Sequence, residues 1–151
     1  LYSDGFDGDF VSGNVVNCFF SKIKGDGLDF SGSVVEVKQC LFQQISDKAI
    51  SIGEDSNVSI SDSTASDVSY GVVSKDNSIT RVNSSKIINA KKSAFAAYQK
   101  KHSFGPSRML VNKSMVIDCK EAYLAQKGSP IIVENIEVKG IEIDVKELYL
   151  E

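Results

Sequence analysis

The sequence predicts an all-β chain wound as a right-handed parallel β-helix, a solenoid of about six coils with a repeat of roughly 22 residues. Three observations carry this expectation. A small residue recurs at Cys18, Cys40, Ser63, Ser85 and Ser114, with Ile136 as an apolar equivalent, at steps of 22, 23, 22, 29 and 22. Apolar columns keep step with it. The segments between turns alternate apolar and polar residues and are bounded by Gly, Ser, Asn and Asp, and a helical period is suggested only around residues 91–98.

The columns justify the elements one by one. Three residues before each small residue stand Val15, Val37, Ile60, Val82, Val111 and Val133. Two after come Phe20, Phe42, Ala65, Ile87, Val116 and Val138, and five after come Ile23, Ile45, Val68, Ala90, Cys119 and Ile141. A further strand in each repeat aligns Phe6, Leu28, Ile50, Val73, Phe95 and Leu124, and a serine column holds Ser33, Ser56, Ser78, Ser107 and Ser129. Strands this short cannot bury a face alone, so the coils must stack about 4.8 Å apart, with like residues above one another. The hand follows from the coil length. The serines are expected to close turns by bonding the backbone.

Residues 1–151 read as one domain with an inserted loop near 99–107, where the step lengthens to 29, and a C-terminal cap over 143–151 ending in Leu148, Tyr149 and Leu150. The chain starts at Leu1 rather than Met, so it is expected to be a C-terminal piece of a larger protein. A bare first coil would then favour end-to-end self-association, because an uncovered strand edge invites pairing. With 42% apolar residues, net charge −3 and two prolines the composition is that of a globular chain, and no apolar run reaches the ~20 residues of a membrane helix. Charge is segregated: residues 1–70 hold eleven acidic and four basic side chains, residues 71–120 two acidic and ten basic.

Cys18, Cys40 and Cys119 fall in inward columns and read as small core residues; a Cys18–Cys40 disulfide between neighbouring coils is the alternative. No zinc spacing occurs, and a nucleophilic serine would have only His102 as a base.

The stretch GDGLDFSGS (25–33) aligns with SDGFDGDFVSG (3–13) one repeat earlier, placing Asp4 with Asp26 and Asp7 with Asp29. Together with DKAISIGEDS, GVVSKDNS and AAYQKKHSFGPS it resembles the repeats of bacterial right-handed parallel β-helix proteins of the pectin-lyase-like superfamily. It is similar in particular to β-helix segments of surface or secreted proteins, some of which carry a CotH-like module. The resemblance implies an extracellular or cell-surface location. It leaves activity open, since the fold serves lyases, hydrolases, epimerases and plain binding proteins.

Lyases of this kind hold calcium on carboxylates of an outer strand face beside a basic residue. Here that column is expected to read Asp7, Asp29, Ser51, Ser74, Ala96 and Ala125, with no Lys or Arg beside the acids. Asp7 and Asp29, with Asp4, Asp9 and Asp26 nearby, would offer Ca2+ the oxygen ligands it prefers, or would only form turns and ladders. As a hydrolase pair, stacked Asp7 and Asp29 would sit at the roughly 5 Å of a retaining enzyme. The second candidate is the basic, aromatic insertion: Tyr98, Lys100, Lys101, His102, Phe104 and Arg108, extended by Lys75 and Arg81. Cations beside rings suit a polysaccharide or other anionic glycan, whereas a solvated lysine loop is the plain alternative. Nucleic acid is not expected of an acidic chain without a recognition motif. The leading expectation is a non-catalytic module that binds carbohydrate or serves as scaffold, needing no cofactor; the alternative is a polysaccharide lyase or glycoside hydrolase fragment using the Asp cluster with a divalent cation.

Overall fold

The computed structural model describes residues 3–150 and is a solenoid of parallel coils with three sides. Side A stacks β1 (Phe6–Asp9), β4 (Leu28–Ser31), the second halves of β6 (Leu41–Gly53), β8 (Thr64–Lys75) and β10 (Lys86–Tyr98), and β13 (Tyr123–Ala125). Side B stacks β2 (Ser12–Val16), β5 (Val34–Lys38), β7 (Asn57–Ser61), β9 (Ile79–Asn83), β11 (Arg108–Asn112) and β14 (Ile131–Val133). Side C stacks β3 (Phe19–Ile23), the first halves of β6, β8 and β10, and β12 (Met115–Ile117). Sides A and C are one sheet, because β6, β8 and β10 run through the corner between them.

Each corner is turned by residues in the left-handed region. Between sides B and C these are Asn17, Gln39, Asp62, Ser84 and Lys113 (φ 49–56°), and between C and A they are Lys22, Gln44, Asp67, Asn89 and Asp118 (φ 55–57°). Only Gly, Asn and Asp adopt this conformation readily, so Gln39 and Lys113 are held there by the stack. Turning strips the next N–H of a strand partner, and a side chain replaces it. The N–H groups of Cys40, Ser63 and Ser85 donate to the hydroxyls of Ser63, Ser85 and Ser114 at 3.1, 3.3 and 3.1 Å. At the A–B corner Val11, Ser33, Ser56 and Ser107 donate to Ser33, Ser56, Ser78 and Ser129 at 3.0–3.2 Å. The serine columns therefore close turns as expected, each hydroxyl serving the neighbouring coil.

The inward columns of sides B and C have the register read from the sequence through the first five coils. Side A differs. The stacked residues are Phe6, Leu28, Ile50, Val72, Phe95 and Tyr123, not Val73 and Leu124. The outer column accordingly reads Asp7, Asp29, Ser51, Val73, Ala96 and Leu124, not Ser74 and Ala125. The cause is the C–A corner of the fourth coil: one residue separates Val68 from Tyr70 where two separate Ile45 from Lys48 and Ala90 from Ser93. A slip of one residue exchanges the two faces of a strand.

The sixth coil is incomplete. Left-handed Glu134 and Asn135 reverse the chain after β14, and β15 (Ile136–Glu137) pairs with it antiparallel, leaving Ile136 73% exposed rather than in the small-residue column. Ile141 bridges Gln126 instead of continuing its column. Residues 91–98 are strand, not helix; they read as ambiguous because their second half is buried on both faces. The first coil carries exposed Phe6, Phe10 and Phe19. Within the lumen the Phe20 and Phe42 rings stack at 5.0 Å, and Phe95 stacks on Tyr123 at 5.8 Å. The three cysteines are free thiols, Cys40 buried, Cys119 partly buried and Cys18 exposed on the first coil.

Replacing Ser56 by Ala removes the acceptor for the buried Ser33 N–H and the donor to the Gly53 carbonyl, 2.7 Å away. We expect a loss of about 1–3 kcal/mol in urea unfolding, against less than about 0.5 kcal/mol for Ser59→Ala on the exposed face of β7.

Candidate functional site

The outer face of side A is the functional candidate, because the tail of the chain returns across it. Asp144 accepts from the Lys146 N–H at 3.1 Å and opens a 3-10 helix, Val145–Tyr149. Val145 and Leu148 pack on Tyr70, Val73, Ala96, Tyr98 and Leu124, which explains why outward positions of the later coils are apolar. The Tyr98 and Tyr149 hydroxyls meet at 2.5 Å with their rings edge to face, and burial raises the pKa of both phenols. The tail is thus a strap along one flank. Glu151, the last residue of the expected cap, lies outside the described residues.

The insertion, residues 99–107, leaves β10 at the top of this flank. Asp76 Oδ1 accepts from the N–H groups of Lys100 and Lys101 at 2.7 and 2.8 Å, and Asn77 Oδ1 accepts from Gly105 at 2.9 Å. A Cβ on Gly105 would lie 2.3 Å from that same oxygen, so any larger residue there would displace the Asn77 amide. The Gln99 side chain donates to the Phe104 carbonyl, and Gln126 Oε1 accepts from the Gln99 N–H at 2.8 Å. Between loop and strap lies a groove of about 580 Å3, lined by Lys100, His102, Gln126, Val145, Lys146 and Tyr149 among others.

The basic and aromatic residues singled out in the sequence divide into four groups. Lys100 and His102 line the groove, with the Lys100 ammonium 4.2 Å from the centre of the Tyr149 ring. Lys101 pairs with Glu54 at the surface and Phe104 is partly buried in the loop. Tyr98 is buried under the strap, and Lys75 lies partly buried on the same flank. Arg81 and Arg108 are exposed on side B, where Arg81 donates to Asn57 at 3.1 Å. Sequence reasoning missed Gln126, Lys146 and Tyr149 as groove residues; the apolar Leu148–Leu150 ending was the available signal that the tail packs on something.

At the lower end of the flank the carboxylates of Asp4, Asp26 and Asp29 lie within 4.8 Å of one another, an oxygen set suited to a hard divalent cation. Asp7 stacks on Asp29 in register but stands outside that group. Two of the three acids also do structural work: Asp4 accepts from the Asp26 N–H at 2.7 Å, and Asp26 from the Lys48 N–H at 3.0 Å. The Lys48 ammonium sits 3.1 Å from Asp47 and 4.0 Å from Asp26. Burial pushes Asp26 up to about 6 despite Lys48, with repulsion from Asp47 and Asp29 adding to it. Burial alone would lower Lys48, but Asp26 and Asp47 outweigh it and hold Lys48 above its ordinary value. Lys75 goes down, through burial first and then repulsion from Lys48 and Lys100, although Asp29 and Asp26 pull the other way.

Parallel coils around an apolar lumen, with one decorated flank, define a β-solenoid. Residues 5–145 match the family model described as a right handed beta helix region, and the chain belongs to that family. No curated protein and no solved structure matches it.

The Asp26 shift makes a signed prediction. A carboxyl whose folded pKa exceeds its unfolded value of 3.8 contributes stability that is fully present below pH 3.8 and lost as pH rises through about 6. Across that window the unfolding free energy of the wild type should fall by about 1–3 kcal/mol relative to Asp26→Asn, whose amide oxygen still accepts from Lys48. Urea midpoints of both proteins from pH 3.5 to 7.5 check this.

Proposed function

We propose that this chain is a non-catalytic β-helix module of a secreted or cell-surface protein, and that it binds an anionic polysaccharide in the groove between the inserted loop and the C-terminal strap. The observation that carries this reading is the convergence of Lys100, His102 and Lys146 with the Tyr149 ring along one open groove. The cations match carboxylate or sulfate groups, and an aromatic ring beside them suits the apolar face of a sugar. The resemblance of the repeats to surface and secreted β-helices supports the location. Binding should appear on a glycan array as retention of acidic glycans. The combined Lys100→Ala, His102→Ala, Lys146→Ala variant should lose about tenfold or more in affinity, and Arg81→Ala with Arg108→Ala on side B should change it little. Absence of glycan binding in the wild type would leave the scaffold role alone.

A second reading, a lyase or hydrolase fragment, is favoured by one specific arrangement. Lys75, absent from the acid column in the sequence, reaches the electrostatic neighbourhood of Asp29 with its pKa lowered, as a proton-abstracting base requires. On that reading Asp4, Asp26 and Asp29 hold a calcium ion. Millimolar Ca2+ should then raise the melting temperature by several degrees, Asp29→Ala should abolish the shift, and a polyuronate should be turned over. An unchanged melting temperature with and without Ca2+ removes this reading.

A further inference from the structure

At the corner between sides B and C one column holds Cys18, Cys40, Ser63, Ser85 and Ser114, and their side chains share one orientation. Each donates to the carbonyl two residues before it: Cys18 Sγ to Val16 and Cys40 Sγ to Lys38, both at 3.4 Å, and the three hydroxyls at 2.9–3.0 Å. Register is continuous through the corner, with Val16 on Lys38 before it and Phe19 on Leu41 after it, so Cys18 lies directly on Cys40. Two side chains of one orientation on neighbouring coils have their sulfurs one coil spacing apart, about 4.8 Å.

Turn closure does not explain two sulfurs in succession. The hydroxyls of Ser63, Ser85 and Ser114 accept from the N–H of the preceding coil at 3.1–3.3 Å, whereas the Cys18 N–H faces the Cys40 sulfur, a weak acceptor. A disulfide does not fit the stack either. Parallel side chains hold their β-carbons near the coil spacing, beyond the roughly 3.5–4.5 Å of a disulfide. A soft cation fits. Thiolates select ions such as copper(I), which favours two ligands in line, and two metal–sulfur bonds of about 2.3 Å end to end span nearly the coil spacing. Such an ion needs no cavity, because it lies on the line between the sulfurs at bonding distance from each.

We propose that Cys18 and Cys40 bind one two-coordinate thiophilic cation, copper(I) or silver(I), at the B–C corner of the first two coils. Cys18 is exposed and captures the ion; Cys40, 3% exposed, completes the coordination from within the stack. Two metal–sulfur bonds form, both S–H bonds break, the two protons leave to solvent, and no oxidation state changes. The site shares no residue with the polysaccharide groove or with the acidic cluster, and it does not rest on either reading of them.

The test is titration of the reduced full chain, without oxygen, with copper(I) held by a competing chromogenic chelator, read by native mass spectrometry and by alkylation of Cys18. The wild type should take up one ion per chain as a monomer, lose two protons, and resist alkylation at Cys18. Cys40→Ser puts into the second coil the residue that the third already carries, so it should melt close to the wild type. It should nevertheless lose about a hundredfold or more in affinity, since removing even a group that only hydrogen-bonds a ligand costs roughly 10–100-fold. Cys18→Ser on the exposed coil should lose as much, and Cys119→Ser, in a different column, should bind like the wild type. Zinc(II) should give no protection, because two ligands leave its tetrahedral shell half filled. Equal uptake by the wild type and Cys40→Ser, a complex of two chains around one ion, or equal protection by zinc overturns the proposal.

Discussion

Everything in this molecule depends on supplying an acceptor to the backbone N–H that each corner takes out of the ladder. A coil of roughly 22 residues turns three times, and each turn points a peptide group along the stack inside the wall. Serine meets this need economically. Its hydroxyl accepts from the coil on one side and donates to its own backbone, as Ser63 does to Ser61 at 2.9 Å. The aspartates of the C–A corner use the opposite direction, Asp4 and Asp26 each accepting from the following coil. Acceptors are thus contributed up the stack at one corner and down it at others, so no coil is complete without both neighbours. That is the physical basis of cooperativity in a solenoid whose repeats touch only adjacent repeats.

The same requirement explains the two ends. At the C-terminal end of side B the parallel ladder stops where left-handed Glu134 and Asn135 fold β15 back on β14, so a two-residue antiparallel strand becomes the outermost one. At the N-terminal end β1 and β2 lie at the outside of their sheets and Phe10 and Phe19 are exposed. The strap then adds a second layer over side A, where Tyr98, Val73 and Ala96 would otherwise be an apolar stripe on the surface.

The sequence made the inward columns legible because they obey one constraint, filling a lumen of constant width. Val15, Val37, Ile60, Val82 and Val111 form a single column in the fold as in the sequence. Register on side A was less legible because the fourth coil deletes a corner residue, and the apolar run Tyr70–Val73 fits either phase. The site was legible in part. The insertion announced itself through the lengthened step, and the acids through their repetition at Asp4 and Asp26. Their partners did not. Tyr149 meets Tyr98, Lys48 and Lys100 only because the tail folds back, and nothing periodic in residues 143–150 specifies where it lands.

The strap also decides the electrostatics of the flank. Lys48 lies 5.1 Å from the centre of the Tyr149 ring and 5.8 Å from that of Tyr70, while Lys100 approaches Tyr149 at 4.2 Å. A ring between two ammonium groups offsets part of their repulsion through its quadrupole and at the same time excludes the water that would screen them. Removing water is what drives Asp26 up and Lys75 down: both shifts have burial as their largest cause, though one group is acidic and the other basic. A carboxyl and an amine both drawn toward neutrality on one flank are what burial of either charged form produces. For both groups burial outweighs any single charged neighbour.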